Sequence, residues 1–355
     1  MRNINYYKRL FAYALRMVFK LLKIKMPAIQ SYAIDSSVLC AKEDGVQRAA
    51  VTIAGQIEKA TGNYFGNLDK YIEYATMITA KHSATEVYRV ENAIYDNGYL
   101  YKNFAAKHIS SLGRPTKALV RSVDSMFLCS TSSGSRYFGD WLVADNLREL
   151  LAQEMHIEPL KIKPHTFYEH LPEINKLLNL NEQYSEGVIH IKNLYMTNDI
   201  GYNENKRQRC EKLRSSIRLN IKEKFDNSMV YIGRGEKYSS GRGLTNEDEI
   251  IEYLSGKGFL ILDPSKLSAH DILQQILNCS IVIGIEGSQL AYGFLALKRG
   301  GLMLTLQPPY HFQSAFRPRC DAVGVRWGFV VGDEEPHGFR VNINDIDKVL
   351  DLTPN

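Results

Sequence analysis

Two short stretches of the chain carry the residue types that handle phosphate and sugar hydroxyls. The first, Gly233-Arg-Gly-Glu-Lys-Tyr-Ser-Ser-Gly-Arg-Gly243, combines glycine backbone with three cations, Arg234, Lys237 and Arg242. Guanidinium forks and unpaired backbone N–H groups suit a pyrophosphate; the same composition also suits a solvated surface loop. Asn246 and Glu247 follow near the start of a helix and complete the set of donor-binding candidates. The second stretch, Gly284-Ile-Glu-Gly-Ser-Gln289, breaks from a strand into a helix. Gly287 would let the backbone approach a ligand, and Ser288 and Gln289 stand at a helix N-terminus, where free N–H groups attract phosphate. Glu286 would repel phosphate but accept bonds from ribose or sugar hydroxyls. A third stretch, Gln307-Pro-Pro-Tyr310-His311, is a rigid turn whose aromatic ring would stack on a base, or a plain surface turn. His311 and His82 read as structural. Neither a GxGxxG fingerprint nor a GxxxxGK[ST] loop occurs, which disfavours a dehydrogenase and a P-loop enzyme.

The elements that must hold these stretches are regular from Ser228 onward. Strands are expected at Met229–Gly233, Phe259–Leu262, Ile281–Ile285 and Leu302–Leu306, alternating with helices at Thr245–Lys257, Ser268–Cys279 and Ser288–Lys298. Thr245-Asn-Glu-Asp248 and Ser268-Ala-His-Asp271 read as capping boxes. Ile281-Val-Ile-Gly-Ile285 is apolar on both faces, as a helix-covered parallel sheet requires. The alternation implies right-handed crossovers and an open doubly wound sheet, with ligands at the carboxyl ends of its strands. Upstream, Asp96-Asn-Gly98 marks a hairpin turn between two strands. Ala118–Leu128 reads as a strand running into the polar turn Ser130–Ser135, Trp141–Glu154 as a helix, and Gly187–Tyr195 as another strand. Arg207–Phe225 reads as a basic amphipathic helix joining two domains.

The chain has 355 residues, 45% hydrophobic and 23% charged, which suits two globular domains. Five scattered cysteines without a CxxC pair argue for a reducing, intracellular setting and against a structural zinc. Arg2, Lys8, Arg9, Arg16, Lys20, Lys23 and Lys25 precede the first acid, Asp35, and outnumber the net charge of +5. The rest is slightly acidic, unlike a nucleic-acid binder, which spreads basic residues over its binding face. Residues 1–27 have helical periodicity: Phe11, Leu15, Val18 and Leu22 fall near one line, with Arg9, Arg16, Lys20 and Lys23 opposite. Charges interrupt the apolar runs too often for a bilayer span. Such a helix either lies on an anionic membrane surface or packs on the protein with its basic face in solvent.

The order Arg234, Arg242, Asn246-Glu247, Gly258-Phe259, Pro264, Leu267-Ser268, Gln274 and Gln275, then Ile281-Val-Ile-Gly-Ile-Glu-Gly-Ser-Gln-Leu290, resembles glycosyltransferase family 61. That family's pattern is R…R…NE, a glycine-phenylalanine strand, and a hydrophobic-Gly-x-His-Gly-Ala-x-Leu turn. The resemblance covers residues 130–310 and is strongest over 229–307. Tyr137-Phe-Gly-Asp-Trp-Leu142 is similar to the family's upstream segment, with Asp145 in its later acidic place, and Leu178–Tyr195 to its connector. Glu286 replaces the usual His, Ser288 the small Ala, Asp140 an upstream His and Thr305 a frequent Glu. The pattern is that of a divergent bacterial-type member or of an enzyme of a sister group.

The resemblance implies a GT-B-like α/β fold: two Rossmann-like domains facing a cleft, residues 28–205 on the acceptor side and 206–355 holding the nucleotide sugar. It implies inversion at the anomeric carbon, no metal and no cofactor, the donor being a nucleotide sugar, expected to be UDP-linked. Inversion needs a general base, and Asp140 leads Glu286 for that role. Tyr137, Phe138 and Trp141 would desolvate Asp140 and raise its pKa, although the same Asp would equally N-cap a helix beginning at Trp141. The expected acceptor is a capsular, lipopolysaccharide or exopolysaccharide chain or its lipid-linked form, at the inner face of the cell membrane, with residues 1–27 on the anionic surface and no nucleic-acid partner. Two alternatives are a pyruvyl or polyol-phosphate transferase of the same pathway and a non-catalytic scaffold or polysaccharide-binding subunit.

Overall fold

Alternating apolar and polar side chains from Thr85 onward, broken at Asn97-Gly98, make a long strand and a hairpin, and the rest of the first sheet is assembled on it. The computed structural model describes residues 2–110, 114–165, 168–222, 228–234 and 243–353, with backbone alone for 2–5. In chain order these form α1 (Arg2–Leu21), β1 (Asp35–Cys40), β2 (Glu43–Val46), α2 (Leu68–Thr76) and β3 (Thr79–His82). Next come β4 (Thr85–Asp96), β5 (Tyr99–Lys102), β6 (Ala105–His108), β7 (Val120–Leu128), α3 (Phe138–Asp140), a π-helical turn (Trp141–Asp145) and α4 (Asn146–Glu154). They are followed by β8 (Pro159–Leu160), α5 (Leu171–Leu177), β9 (Val188–Asn198) and α6 (Glu204–Asn220). The remainder is β10 (Met229–Ile232), β11 (Gly243–Leu244), α7 (Glu247–Gly256), β12 (Phe259–Leu262), α8 (Ala269–Ile276), β13 (Ile281–Ile285), α9 (Ala291–Ala296), β14 (Leu302–Gln307), α10 (Phe316–Ala322), β15 (Arg326–Val331), β16 (Asp333–Glu335), β17 (Gly338–Arg340) and α11 (Ile343–Asp351). The fold is mixed α/β.

The chain divides into two compact units. One comprises residues 1–43, 83–176 and 180–209; the other 44–82, 177–179 and 210–355. Residues 44–82, placed by sequence with the 28–205 segment, therefore fall in the second unit, and α1 falls in the first.

The first unit holds a seven-stranded mixed sheet of order β6-β5-β4-β9-β7-β8, with β1 also paired to β4. Asn97 (φ 49°) and Gly98 (φ 82°) both lie in the left-handed region, as a two-residue primed hairpin turn demands. Val90, Ala93, Leu100, Met126, Ile189, Ile191 and Leu194 form the core of one sheet face together with Ile29. Helix α1 docks elsewhere, with Ala12 against Tyr99, Tyr101 and Ala106. Its Arg9 is 2% exposed, paired to the fully buried Asp96 at 3.0 Å, and donates to the Thr116 carbonyl at 2.8 Å. Arg16 donates to the Ala106 carbonyl. Of the basic face, Arg9 and Arg16 thus pack, because a buried carboxylate and two backbone carbonyls accept from their guanidinium groups, while Lys20 and Lys23 stay exposed. Among the described residues no helix is long and apolar enough to cross a membrane.

The second unit is built on a five-stranded parallel sheet of order β12-β10-β13-β14-β15. The four expected strands are all present; the fifth, β15, lies beyond the pattern read from the sequence. Tyr231, Ile283, Leu302, Leu304, Leu306 and Val330 fill its core. Buried Arg214 of α6 donates to the Phe294 and Leu297 carbonyls and so closes the C-terminal end of α9. Ser268 caps α8, its hydroxyl accepting from Asp271 N–H at 3.1 Å. The box expected at Thr245 does not form: its hydroxyl is drawn to Glu335 and to the Phe339 carbonyl, and α7 begins after Asn246 instead.

Residues 44–82 add to the β15 edge. Val51 bridges to Gly328, Thr52 donates to the Phe329 carbonyl at 2.9 Å, and Val331 N–H donates to the Gln56 side chain at 2.6 Å. Buried Arg317 donates to the carbonyls of Arg48, Tyr74 and Met77, the last two at the C-terminal end of α2.

Candidate active site

In the second unit the chain steps outward from β10 to β12 and then crosses back to β13, so the strand order reverses between β10 and β13. Connecting segments leave the sheet in opposite directions at such a point, and a crevice opens beyond the carboxyl ends of the two strands. Gly233 and Arg234 follow β10, and Glu286–Gln289 follow β13, so both sequence-chosen stretches reach this crevice.

Their side chains meet. Arg234 donates from Nη1 to the Glu286 carbonyl at 3.3 Å. A Cβ on Gly287 would sit 2.5 Å from Gln289 Oε1 and 3.4 Å from Arg234 Nε, so a side chain there would have to displace the Gln289 amide. Gln289 donates to the Ile285 carbonyl at 2.6 Å and closes the turn from within. Ser288 opens a 3₁₀ turn, with Leu290 N–H bonded to the Gly287 carbonyl, and α9 adds six residues after it. The single helix expected over 288–298 is therefore two short pieces.

Glu247 lies near Gly233, its Oε1 accepting from Tyr231 at 2.6 Å. Burial raises its pKa, while the Tyr231 hydrogen bond and the charge of Arg234 oppose the rise. Asn246 has a different job: its buried side-chain amide donates to the Val341 carbonyl at 2.9 Å and accepts from Val341 N–H at 3.1 Å. It staples α7 to the segment before α11. Lys237 and Arg242 lie outside the described residues.

The end of β14 supplies a residue that sequence reasoning set aside. His311 Nε2 stands 3.7 Å from Glu286 Oε2, both side chains being largely buried. The turn carrying it is held firmly: Gln307 bonds Gln313 through both ends of its amide, at 2.6 and 3.1 Å. Thr61 and Gly62 N–H groups also donate to the Pro309 carbonyl, at 2.8 and 3.1 Å. The Tyr64 ring meets the imidazole edge-on at 5.9 Å. Tyr310, the expected base-stacking ring, packs against the core of the unit. The signal for His311 was its place just after a parallel strand, which is where such folds put ligand contacts.

In the first unit Asp140 is half-buried at the end of α3 with helical φ and ψ of −75° and −37°. A residue in that conformation is inside the helix and does not N-cap it; the cap position is Tyr137, without a side-chain bond. The π-helical turn Trp141–Asp145 follows directly, a distortion that is frequent at functional sites. Phe138 stacks on the buried Trp141 at 5.8 Å on either side of Asp140 in sequence, while Tyr137 is exposed.

Asp145 is the buried carboxylate of this segment, 6% exposed. The polar turn after β7 wraps it: Thr131 donates from N–H at 3.1 Å and from Oγ1 at 2.7 Å. Gly134 packs so closely that a Cβ would lie 2.3 Å from Asp145 Oδ2. Burial pushes the Asp145 pKa up to about 7, outweighing the Thr131 hydrogen bonds and the charge of Arg148. Among the described residues no cluster of three or more His, Cys, Asp or Glu side chains could hold a metal ion.

No curated protein matches the chain. Residues 138–302 match the model of the family described as Glycosyltransferase 61. That span is a little under half of the chain and contains Asp140, Asp145, Arg234, Glu247 and Glu286–Gln289; it stops short of His311 and includes none of residues 44–82. Over residues 138–302, this chain is similar to glycosyltransferase family 61.

Proposed function

We propose that the protein is an inverting, metal-independent glycosyltransferase that moves a sugar from a nucleoside diphosphate donor, UDP-linked by preference, to a hydroxyl of a bacterial surface polysaccharide or its lipid-linked precursor. The observation that carries the reading is the meeting of Arg234, the Glu286-Gly287 backbone and the Glu286–His311 pair at the strand-order reversal, within or beside a segment matching a glycosyltransferase family. In the reaction, an acceptor hydroxyl oxygen attacks the anomeric carbon as the bond to the β-phosphate oxygen breaks. The hydroxyl proton passes to a carboxylate, and the nucleoside diphosphate leaves.

Each residue has a part in that scheme. Arg234 meets the charge that develops on the leaving diphosphate, which preorganised donors stabilise best. Glu286 accepts from sugar or ribose hydroxyls, with His311 beside it. Asp140 takes the proton, and Asp145, about one turn further along and locked by Thr131, holds the segment that carries it. The reading takes the two units as the halves of a GT-B enzyme. A pyruvyl or polyol-phosphate transfer is the alternative that Glu286, standing where the family has His, would support.

The test is thermal stability of the pure protein against a panel of nucleotides and nucleotide sugars. A ligand at about 100 times its Kd adds roughly 2.7 kcal/mol of stability. The reading expects a midpoint shift with one nucleoside diphosphate, lost in Arg234→Ala; no shift across the panel would favour the scaffold alternative.

A further inference from the structure

Helix α1 is inverted relative to an ordinary docked amphipathic helix. Its arginines face the sheet, Arg9 on Asp96 and Arg16 on the Ala106 carbonyl. Its apolar residues face outward: Tyr7, Phe11 (56% exposed), Val18, Leu21 (82%) and Leu22 are all exposed. On a helical wheel these five lie within one side, about 100° wide at 100° per residue, with no charge among them. Phe104, in the turn between β5 and β6, is 62% exposed and meets Phe11 edge-to-face at 6.0 Å. Between helix and turn runs an open groove of about 720 Å³, lined by Tyr7, Lys8, Phe11, Tyr32, Asn103 and Phe104. Lys8 flanks this face, Lys20 stands exposed on the other side of the helix, Lys23 and Lys25 are exposed just beyond its end, and no acidic residue precedes Asp35.

We propose that the outward face of α1, together with Phe104, docks on an anionic phospholipid bilayer, the helix lying flat in the interface with its apolar side among the acyl chains. Charge decides the occupant. A second copy of the chain pairing through this helix would bring two basic, acid-free segments together, whereas anionic headgroups attract Lys8, Lys23 and Lys25 as the apolar stripe enters. The buried Arg9–Asp96 pair fixes the rotation of the helix, so the apolar side is presented without rearrangement. The inference stands apart from the donor site, because vesicle binding and nucleotide binding are read separately.

The experiment is flotation of the full-length protein with vesicles of phosphatidylcholine containing one-third phosphatidylglycerol, and with phosphatidylcholine alone. The expected result is binding to the anionic vesicles that is at least about tenfold weaker on neutral ones and falls with salt. Val18→Ser with Leu21→Ser should abolish it while leaving the melting midpoint and the nucleotide-induced shift in place. A Phe11→Trp variant should show blue-shifted emission only with anionic vesicles, which tests the same face without removing apolar surface. Absence of binding to anionic vesicles overturns the proposal, as does binding that the double substitution leaves intact. A dimer in lipid-free solution that the same substitutions dissociate also overturns it, in favour of a second copy.

Discussion

His311 and Glu286 come from the ends of neighbouring parallel strands, 25 residues apart in sequence, and their side chains stand 3.7 Å apart at the mouth of the candidate donor site. A protonated imidazole there would neutralise the carboxylate and stop it repelling a diphosphate. Removing either partner deprives the other of this contact in a largely buried place, at a cost of about 1–3 kcal/mol. His311→Ala is therefore expected to lower kcat/KM for donor by roughly 10- to 100-fold. Glu286→Gln, which keeps the shape but not the charge, should lower it less. Steady-state release of nucleoside diphosphate checks both.

Arg234 should matter through geometry as well as charge. Arg234→Ala is expected to weaken nucleoside diphosphate binding by about 10- to 100-fold, the worth of a charge-assisted hydrogen bond. Arg234→Lys should recover only part, because an ammonium cannot both hold the Glu286 carbonyl and present a planar fork to phosphate. Isothermal titration of the three proteins with the nucleotide found in the stability panel measures this.

Asp145 gives a stability signature with a definite sign. Its folded pKa of about 7 lies above the ordinary carboxylate value of 3.8, so the folded protein binds the proton more tightly than the unfolded chain. Its contribution is most favourable below about pH 4, declines as pH rises to 7 and is level beyond, a span of about 4 kcal/mol at most. Asp145→Asn removes the titration. Urea unfolding at pH 4 and pH 8 should show the variant gaining on the wild type as pH rises; parallel behaviour at both values would sink the assignment.

Arg317 binds three carbonyls of the 44–82 segment. Arg317→Ala strands those carbonyls and leaves a void, and is expected to destabilise the second unit by about 3–5 kcal/mol. Limited proteolysis should then cut first within residues 44–82.

What the sequence revealed follows from how local the physics is. The apolar runs of β10, β12, β13 and β14, the Asn97-Gly98 turn and the Ser268 cap each rest on a few adjacent residues, and each was legible. The Thr245 box was misread because a competing partner, Phe339, lies 94 positions away. Helical periodicity distinguishes two faces of α1 but not which one is covered; that depended on the buried carboxylate of Asp96, whose charge Arg9 meets. The candidate site divides the same way. Arg234, Glu247 and the Glu286–Gln289 turn were visible as motif and position, whereas His311 gained its meaning only when β13 and β14 were aligned side by side. Asn246 was chosen by motif, yet its amide is taken up by the backbone of Val341.

The 44–82 segment also bears on how the protein is made. It leaves the ribosome early, but the strand edge that Thr52 joins is 277 residues further on. At 5–20 residues per second, that interval is roughly 14–55 s, during which the segment has no native partner to cover it. Exposed Tyr64 and Phe65 remain at its tip even in the finished fold, and Val51 and Ile53 are apolar edge residues waiting for β15. The second unit should therefore complete its fold only after most of the chain is synthesised, and a break in the chain between 82 and 210 would separate it from the strip that seals its sheet.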